Sequence, residues 1–243
     1  MLLAAAILPV HAAVFITEAA PWSSGNSLVG ADWFELTNTG PGTLTISGWT
    51  MDDNSNLFAS SVALRGVTSI AAGQSVIFFE STATASTTDA AITSLFNSTW
   101  GSSFVFGTNI GAYGGAGVGL STGGDAVNIY NSAGVLQANI VFGASPGASP
   151  FGTFDNAALL NNATITTLSV PGTNGAFSRT NAGISEIGSP GTIGTGAAPV
   201  PEPSTAAALG IGIAALAIFT RRRASRPARP IDAPCSDGRP VDC

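Results

Sequence analysis

The chain has 243 residues, of which 45% are hydrophobic and 9% charged, and its formal net charge at pH 7 is −6. This hydrophobic share can build the core of one ordinary domain, but the charged share is far below that of most soluble proteins. All eight basic residues are arginines, and residues 14–198 hold ten acidic residues against two arginines, a formal charge of −8. A lysine-free, acidic stretch argues against nucleic-acid binding, which needs clustered basic side chains.

The first twelve residues, MLLAAAILPVHA, form an apolar run that ends in small residues. This pattern predicts a signal peptide over residues 1–12, cleaved between Ala12 and Ala13. A secretory signal normally opens with a basic residue, and none is present here. We therefore expect the first part of the signal to be lacking or truncated. The alternative interpretation is a buried first strand.

Residues 13–194 predict one all-β domain, because short alternating segments are separated by Gly, Asn, Ser and Pro. In Asp32–Asn38, Phe34 and Leu36 fall on one face and Trp33, Glu35 and Thr37 on the other. The apolar stretch 75–79 predicts a buried strand. A hairpin is predicted from 125–130 and 135–142, with Leu136, Ala138, Ile140 and Phe142 on one face. One short helix is predicted around residues 89–96. Because the strands are apolar on one face, the expected architecture is a β-sandwich, which buries those faces.

Several segments of this domain match the sequence pattern of one known family. The most specific are DWFELTN, with Asp32, Trp33, Phe34, Glu35, Leu36 and Asn38, and ISGW, with Gly48 and Trp49. Weaker matches are residues 15–18, 120–127, 141–143, 177–179 and 188–191, and residues 82–117 do not align. Together these segments resemble the lamin tail domain family. The resemblance implies an immunoglobulin-like β-sandwich that acts as a non-catalytic accessory module on secreted and surface proteins.

The C-terminal part begins with a linker over residues 195–203. Residues 204–220 contain no charged residue and are followed directly by Arg221, Arg222 and Arg223. Seventeen helical residues span about 25 Å, which is close to the thickness of the hydrocarbon layer. The pattern predicts a transmembrane helix with the arginines as its cytoplasmic stop. A buried core helix is the alternative. The Pro- and Arg-rich tail, residues 221–243, is predicted to be disordered.

Pro201, Glu202 and Pro203 precede this apolar segment, and the three parts together resemble the PEP-CTERM sorting signal of Gram-negative bacteria. The resemblance implies that an exosortase-type protease recognises the motif and removes the tail. The protein would be held in the inner membrane before processing and released to the cell surface or matrix afterwards. Residues 224–243 depart from the family. If they hinder recognition, the protein stays an anchored type I membrane protein.

The predicted domain lacks most catalytic side chains. The one histidine, His11, lies in the signal peptide, and both cysteines lie in the tail. Without His, Lys or Cys, nucleophile–histidine systems, thiolate or imidazole zinc sites and Schiff-base lysines are excluded. Gly143–Gly147 fits G-x-S-x-G, but Pro146 follows the serine and has no N–H for an oxyanion hole. A carboxylate glycosidase is the remaining catalytic hypothesis, and its candidate acids are Glu18, Asp32, Glu35, Asp52, Asp53 and Glu80.

Asp52 and Asp53 open the segment DDNSN, which suggests a calcium loop. Leu57 and Ala63 stand where an EF-hand needs glycine and glutamate, so that motif is excluded. Two interpretations of Asp52 and Asp53 remain, a looser calcium site and an ordinary Asx-rich turn without metal. Trp33 and Trp49 favour core packing over a sugar-stacking platform.

From the sequence we therefore expect no enzyme and no required cofactor. The expected function is binding or structure at the cell surface, with exopolysaccharide or envelope proteins as partners in a biofilm matrix. The alternatives are a permanently anchored membrane protein whose glycan binding is assisted by calcium, and the carboxylate glycosidase.

Overall fold

The computed structural model describes residues 14–22, 27–81, 86–101, 104–115 and 117–192, which form fifteen short strands and one α-helix. In chain order these elements are β1 (Val14–Ala20), β2 (Trp33–Asn38), β3 (Leu44–Thr45), β4 (Thr50–Asp52), β5 (Val62–Ala63), β6 (Ser69–Ile70), β7 (Ser75–Glu80), α1 (Ser86–Trp100), β8 (Ile110–Tyr113), β9 (Asp125–Tyr130), β10 (Leu136–Phe142), β11 (Phe151–Gly152), β12 (Phe154–Asp155), β13 (Ala163–Ile165), β14 (Phe177–Asn181) and β15 (Ile184–Gly188).

Two five-stranded sheets pack face to face around the main core. The first has the order β12-β1-β2-β7-β8, and the second has the order β13-β10-β9-β4-β5. The main core contains Phe34, Leu36 and Phe78 from the first sheet and Val127 and Ile140 from the second. The predicted all-β, immunoglobulin-like sandwich is confirmed.

Strand β2 shows why the first sheet needs cover on both faces. Phe34 and Leu36 lie in the main core, whereas Trp33 belongs to a second hydrophobic cluster on the opposite face, as the alternation predicts. All six residues of β2 are buried. A sheet whose central strand is buried on both sides requires a third layer of structure.

The hairpin β9–β10 is confirmed. Its strands pair antiparallel, with Leu136 opposite Tyr130 at the turn and Phe142 opposite Asp125 at the far end. The prediction that Leu136 shares one face with Ala138, Ile140 and Phe142 is wrong. The register shifts between Leu136 and Ala138, and Leu136 is 36% exposed. A β-bulge adds one residue to the strand, so the positions before it point to the other face.

The third layer over the first sheet includes α1, which lies in the segment that did not align. The helix runs from Ser86 to Trp100 and is therefore longer than predicted. Its Phe96 and Trp100 pack edge-on against Trp33, at ring-centroid distances of 5.5 and 6.0 Å. Strand β8 follows the helix and adds to the first sheet, parallel to β7.

Both ends of α1 are held by specific contacts. Asp89 in the first turn forms an ion pair with Arg65, with 2.7 Å between Oδ1 and Nη2. A carboxylate is favourable there because the amino end of a helix carries partial positive charge. Gly101 follows the last helical residue at φ +67°, which is the usual way for a helix to end.

A small sheet completes the third layer. Its order is β11-β15-β14, with β11 parallel and β14 antiparallel to β15. Phe151, Phe177 and Ile184 from this sheet pack in the same cluster as Trp33 and α1. The helix and the small sheet together bury the outer face of the first sheet.

Gly111 provides a test of how tightly β8 packs. An added Cβ would lie 2.5 Å from the carbonyl oxygen of Arg65 and 2.8 Å from the Phe78 ring. Gly111→Ala should lower the free energy of unfolding by about 1–3 kcal/mol, because neither neighbour can move without disturbing the core. Urea unfolding measures this. Gly143→Ala is the matched control, because its Cβ would meet no atom within 4 Å. Equal stability of the two variants would contradict the packing described for β8.

Candidate functional site

The ten acidic residues of the domain all lie in the described ranges, and none of them is exposed. Asp53 and Glu80 are half-buried. The buried acids are Glu18, Asp32, Glu35, Asp52, Asp89, Asp125, Asp155 and Glu186. Among the described charged residues, only Arg179 is exposed. The formal negative charge of the domain is therefore mainly interior, and its surface is almost uncharged.

Glu18 and Glu35 are cross-strand neighbours on the outer face of the first sheet. The register of β1 and β2 shifts between Ile16 and Glu18, so that Thr17 and Glu18 both lie beside Glu35. With strict alternation after Ile16, Glu18 would point into the main core. The extra residue of the bulge places its carboxyl group beneath the third layer instead.

The carboxyl groups of Glu18 and Glu35, here called the carboxyl pair, bind the chain segment that follows β15. The Ser189 N–H donates to Glu18 Oε1 at 2.8 Å, and the Gly191 N–H donates to Glu35 Oε2 at 2.6 Å. Thr17 Oγ1 donates to the other oxygen of Glu35 at 2.6 Å. Glu18 Oε2 is buried without a hydrogen-bond partner. The end of the described chain is thus attached to the centre of the first sheet.

Burial raises the pKa of both carboxyl groups. Loss of water, together with the smaller effect of the neighbouring Glu35 charge, raises the pKa of Glu18 to about 8. Burial also raises the pKa of Glu35 to about 7, against the opposing effect of its hydrogen bonds. Glu186 on β15 is a third buried acid, and its carboxylate accepts a hydrogen bond from the Leu28 N–H. Burial raises the pKa of Glu186 to about 7.

Paired carboxyl groups with raised pKa values are also a pattern of glycosidase sites. Neighbouring strands can bring two carboxyl groups to the separation of about 5 Å that a retaining glycosidase uses. Glu18 and Glu35, however, are each 1% exposed and lie under the segment from Gly188 to Gly191. No sugar can reach them in this structure. Asp32 is also buried and accepts the Leu120 N–H at 3.0 Å.

The carboxylates of the suggested calcium loop bind the loop's own donors. Asp52 Oδ2 accepts hydrogen bonds from Ser55 Oγ at 2.6 Å and from the Leu57 N–H at 2.8 Å. Asp53 Oδ1 accepts the Ser55 N–H at 3.2 Å. Within the described ranges, no three acidic, histidine or cysteine residues are grouped so that they could hold a metal ion. The contacts seen in this loop are those of an Asx-rich turn.

The family-motif residues lie in the packed interior or at turns. Trp33 is 0% and Trp49 is 6% exposed, so neither ring presents a stacking surface for a sugar. Asn38 closes the turn after β2, where its Nδ2 donates to the carbonyls of Gly42 and Ile70 at 2.7 and 3.0 Å. Gly48 adopts φ +75° in a tight turn, a conformation that other residues rarely adopt.

The expected sorting residues lie outside the described ranges. They comprise the cleavage site Ala12 and Ala13, the motif Pro201, Glu202 and Pro203, the predicted span 204–220, and the stop Arg221, Arg222 and Arg223. Of the helices in the described ranges, none has the length and apolar character needed to cross a bilayer.

Sequence reasoning missed a cleft between α1 and β14. Its volume is about 390 Å³, and Ser98, Thr99 and Leu95 of the helix face Arg179 and Asn181 of the strand across it. Only two arginines lie between residues 14 and 198, and this scarcity is the sequence signal that could have singled out Arg179. The strand pairing that brings it to α1 is not visible in the sequence.

The raised pKa values predict how stability changes with pH. Between pH 4.5 and about 8 the folded state binds more protons than the unfolded chain, because Glu18, Glu35 and Glu186 stay protonated only when buried. The free energy of unfolding must then fall as pH rises through this range. We expect the melting temperature to be roughly 5–10 °C lower at pH 8.5 than at pH 5. The double variant Glu18→Gln, Glu35→Gln should reduce this dependence to the part that Glu186 contributes. A melting temperature that rises with pH in the wild-type protein would refute the assignment.

Comparison with known families agrees with this architecture. A family model described as Lamin Tail Domain matches residues 9–144, and a model described as PEP-CTERM protein-sorting motif matches residues 199–223. No curated protein matches the chain. The PEP-CTERM signal indicates export to the cell surface and processing by an exosortase-type system. The chain therefore belongs to the lamin tail domain family and carries a PEP-CTERM sorting signal.

Proposed function

We propose that this protein is a non-catalytic module of the extracellular matrix that binds exopolysaccharide after exosortase-type sorting. The observation that carries the proposal is the distribution of charge. All ten acids are buried or half-buried, and the exposed positions are mainly Ser, Thr, Asn, Gly and Ala. Such a surface can exchange hydrogen bonds with sugar hydroxyl groups, while its few charges limit non-specific ionic binding.

The same observation counts against the glycosidase hypothesis. A glycosidase needs two carboxyl groups that flank a sugar in an accessible cleft. The closest candidate pair, Glu18 and Glu35, is enclosed by α1, the small sheet and the Gly188–Gly191 segment. Access would require the third layer to open.

A structural role in the matrix is the second candidate, and an exposed apolar patch favours it. The patch consists of Leu57, Phe58 and Val135, which are 57%, 45% and 56% exposed. The Phe58 ring lies against the turn of the β9–β10 hairpin, where an added Cβ on Gly134 would meet it at 2.9 Å. Exposed apolar groups of this kind can support self-association. This role predicts concentration-dependent oligomers that Phe58→Ser would disperse.

The binding proposal is tested by co-sedimentation of the purified protein with the exopolysaccharide of its own source organism. We expect saturable binding that weakens by no more than about tenfold between 50 and 500 mM salt, because Arg179 is the one exposed charge among the described residues. Calcium and chelator should make no difference if the loop at Asp52 and Asp53 is only a turn. Loss of binding with chelator would support the calcium-assisted alternative. No binding in either condition would exclude a polysaccharide-binding role and leave a protein partner or self-association.

The sorting proposal is tested separately by the intact mass of the protein recovered from its native cells. We expect both ends to be removed, with termini near Ala13 and near Glu202. The variant Glu202→Ala should retain the tail, because the proposed recognition motif is disrupted. Conversion of Glu186 to Gln is a control that leaves the motif intact. A wild-type protein that still ends at Cys243 would refute processing and support the permanently anchored alternative.

A further inference from the structure

Arg179 is a positive charge held rigidly at the surface. Its guanidinium carbon lies 4.5 Å from the centre of the Phe177 ring, and its Nη2 donates to the carbonyl oxygen of Trp100 at 3.2 Å. That carbonyl belongs to the last residue of α1, where a cation is favourable because the carboxyl end of a helix is partially negative. Stacking and capping together fix the orientation of the guanidinium plane.

The guanidinium group retains binding capacity. It has five N–H donors in a fixed fork, and the described contacts use one nitrogen. The ion pair found in the described ranges joins Arg65 to Asp89, and no described carboxylate lies within ion-pair distance of Arg179. A rigid arginine with free donors at a surface is suited to a planar anion, which it can bind with two parallel hydrogen bonds.

The cleft beside Arg179 has the size and lining for a small sugar. Its volume of about 390 Å³ is in the range of small-ligand sites. Ser98, Thr99 and Thr180 contribute hydroxyl groups and Asn181 contributes an amide, while Leu95 contributes an apolar wall that is 47% exposed. Hydroxyl and amide groups can pair with sugar hydroxyls, and an apolar wall suits the C–H face of a pyranose ring.

We propose that this cleft binds a carboxylated sugar, a uronate unit of an acidic polysaccharide, with its carboxylate paired to Arg179. This inference rests on the proposed function and identifies the class of ligand. A carboxylate is planar and carries one negative charge, so it matches both the planar fork and the single positive charge of Arg179. No acidic residue is among those that line the cleft, so no described carboxylate of the lining faces the bound anion.

The test measures binding of tri-galacturonate to the full chain in mild detergent by isothermal titration calorimetry, at low salt. The methyl ester of the same trisaccharide is the neutral control. We expect tri-galacturonate to bind and the ester to bind at least about tenfold more weakly, because the ester cannot form the charge-assisted pair. Equal binding of the acid and the ester would overturn the proposal, as would preference for a sulfated trisaccharide over the uronate.

Two charge-adding variants locate the site. Leu95→Glu places a negative charge on the wall of the cleft without touching the cap of α1, and Glu is as good a helix former as Leu. It should weaken tri-galacturonate binding by about tenfold or more. Ala90→Glu adds the same charge at an exposed helix position that does not line the cleft, and it should leave the affinity unchanged. Equal effects of the two variants would place the site elsewhere.

Arg179 itself is tested with two substitutions. Arg179→Gln should weaken binding by roughly a hundredfold, and Arg179→Lys should restore only part of it, because lysine lacks the planar fork. Circular dichroism checks that α1 remains folded. If the native exopolysaccharide sediments with the protein but tri-galacturonate does not bind, this inference fails and the proposed function stands. If neither binds, the proposed function fails as well.

Discussion

The first sheet of the sandwich is buried on both faces, and the rest of the domain is arranged to satisfy this constraint. Its central strand β2 has no exposed residue. One face packs against the second sheet in the ordinary way of a sandwich. The other face requires the helix α1, the small sheet of β11, β14 and β15, and the segment that follows it. Without this third layer, Trp33 and its aromatic neighbours would be exposed to water.

Double burial also explains the polar row beneath the third layer. Thr17, Thr37 and Ser75 form a chain of hydroxyl groups, with oxygen–oxygen distances of 2.8 and 2.6 Å, that leads to Glu35. Buried polar groups of this kind are stable only when they find partners, and here the partners come from neighbouring strands and from the backbone after β15. The carboxyl groups thus connect the middle of the sheet to the end of the domain.

The main sandwich could be predicted because its strands follow simple alternation. β2, β7 and the β9–β10 hairpin each place apolar residues at every second position or in one continuous run, and the structure forms them where they were expected. The exception, Leu136, lies before a β-bulge, which the sequence does not mark. The length of α1 was missed because its buried positions, among the residues from Asp89 onward whose burial is described, are Asp89, Thr93, Phe96 and Trp100. Two of these four are polar, so the helical period of hydrophobic residues is weak.

The features around the carboxyl pair could not be predicted for a different reason. Their environment is made by segments far apart in the chain, since Glu18 meets the Ser189 N–H and Glu35 meets the Gly191 N–H. Local patterns report which face a residue occupies but not which distant segment covers that face. The cleft at Arg179 likewise depends on the pairing of β14 beside α1.

The rarity of exposed basic residues also affects how resistant the exported protein is to proteolysis. Trypsin-like proteases cut after lysine or arginine, and the chain has no lysine. In the described ranges Arg65 is half-buried and bound to Asp89, and Arg179 lies in a paired strand with its side chain held by Trp100 and Phe177. Proteases need several consecutive residues in an extended, unpaired form. The folded domain therefore offers this class of enzyme almost no site at which to begin degradation.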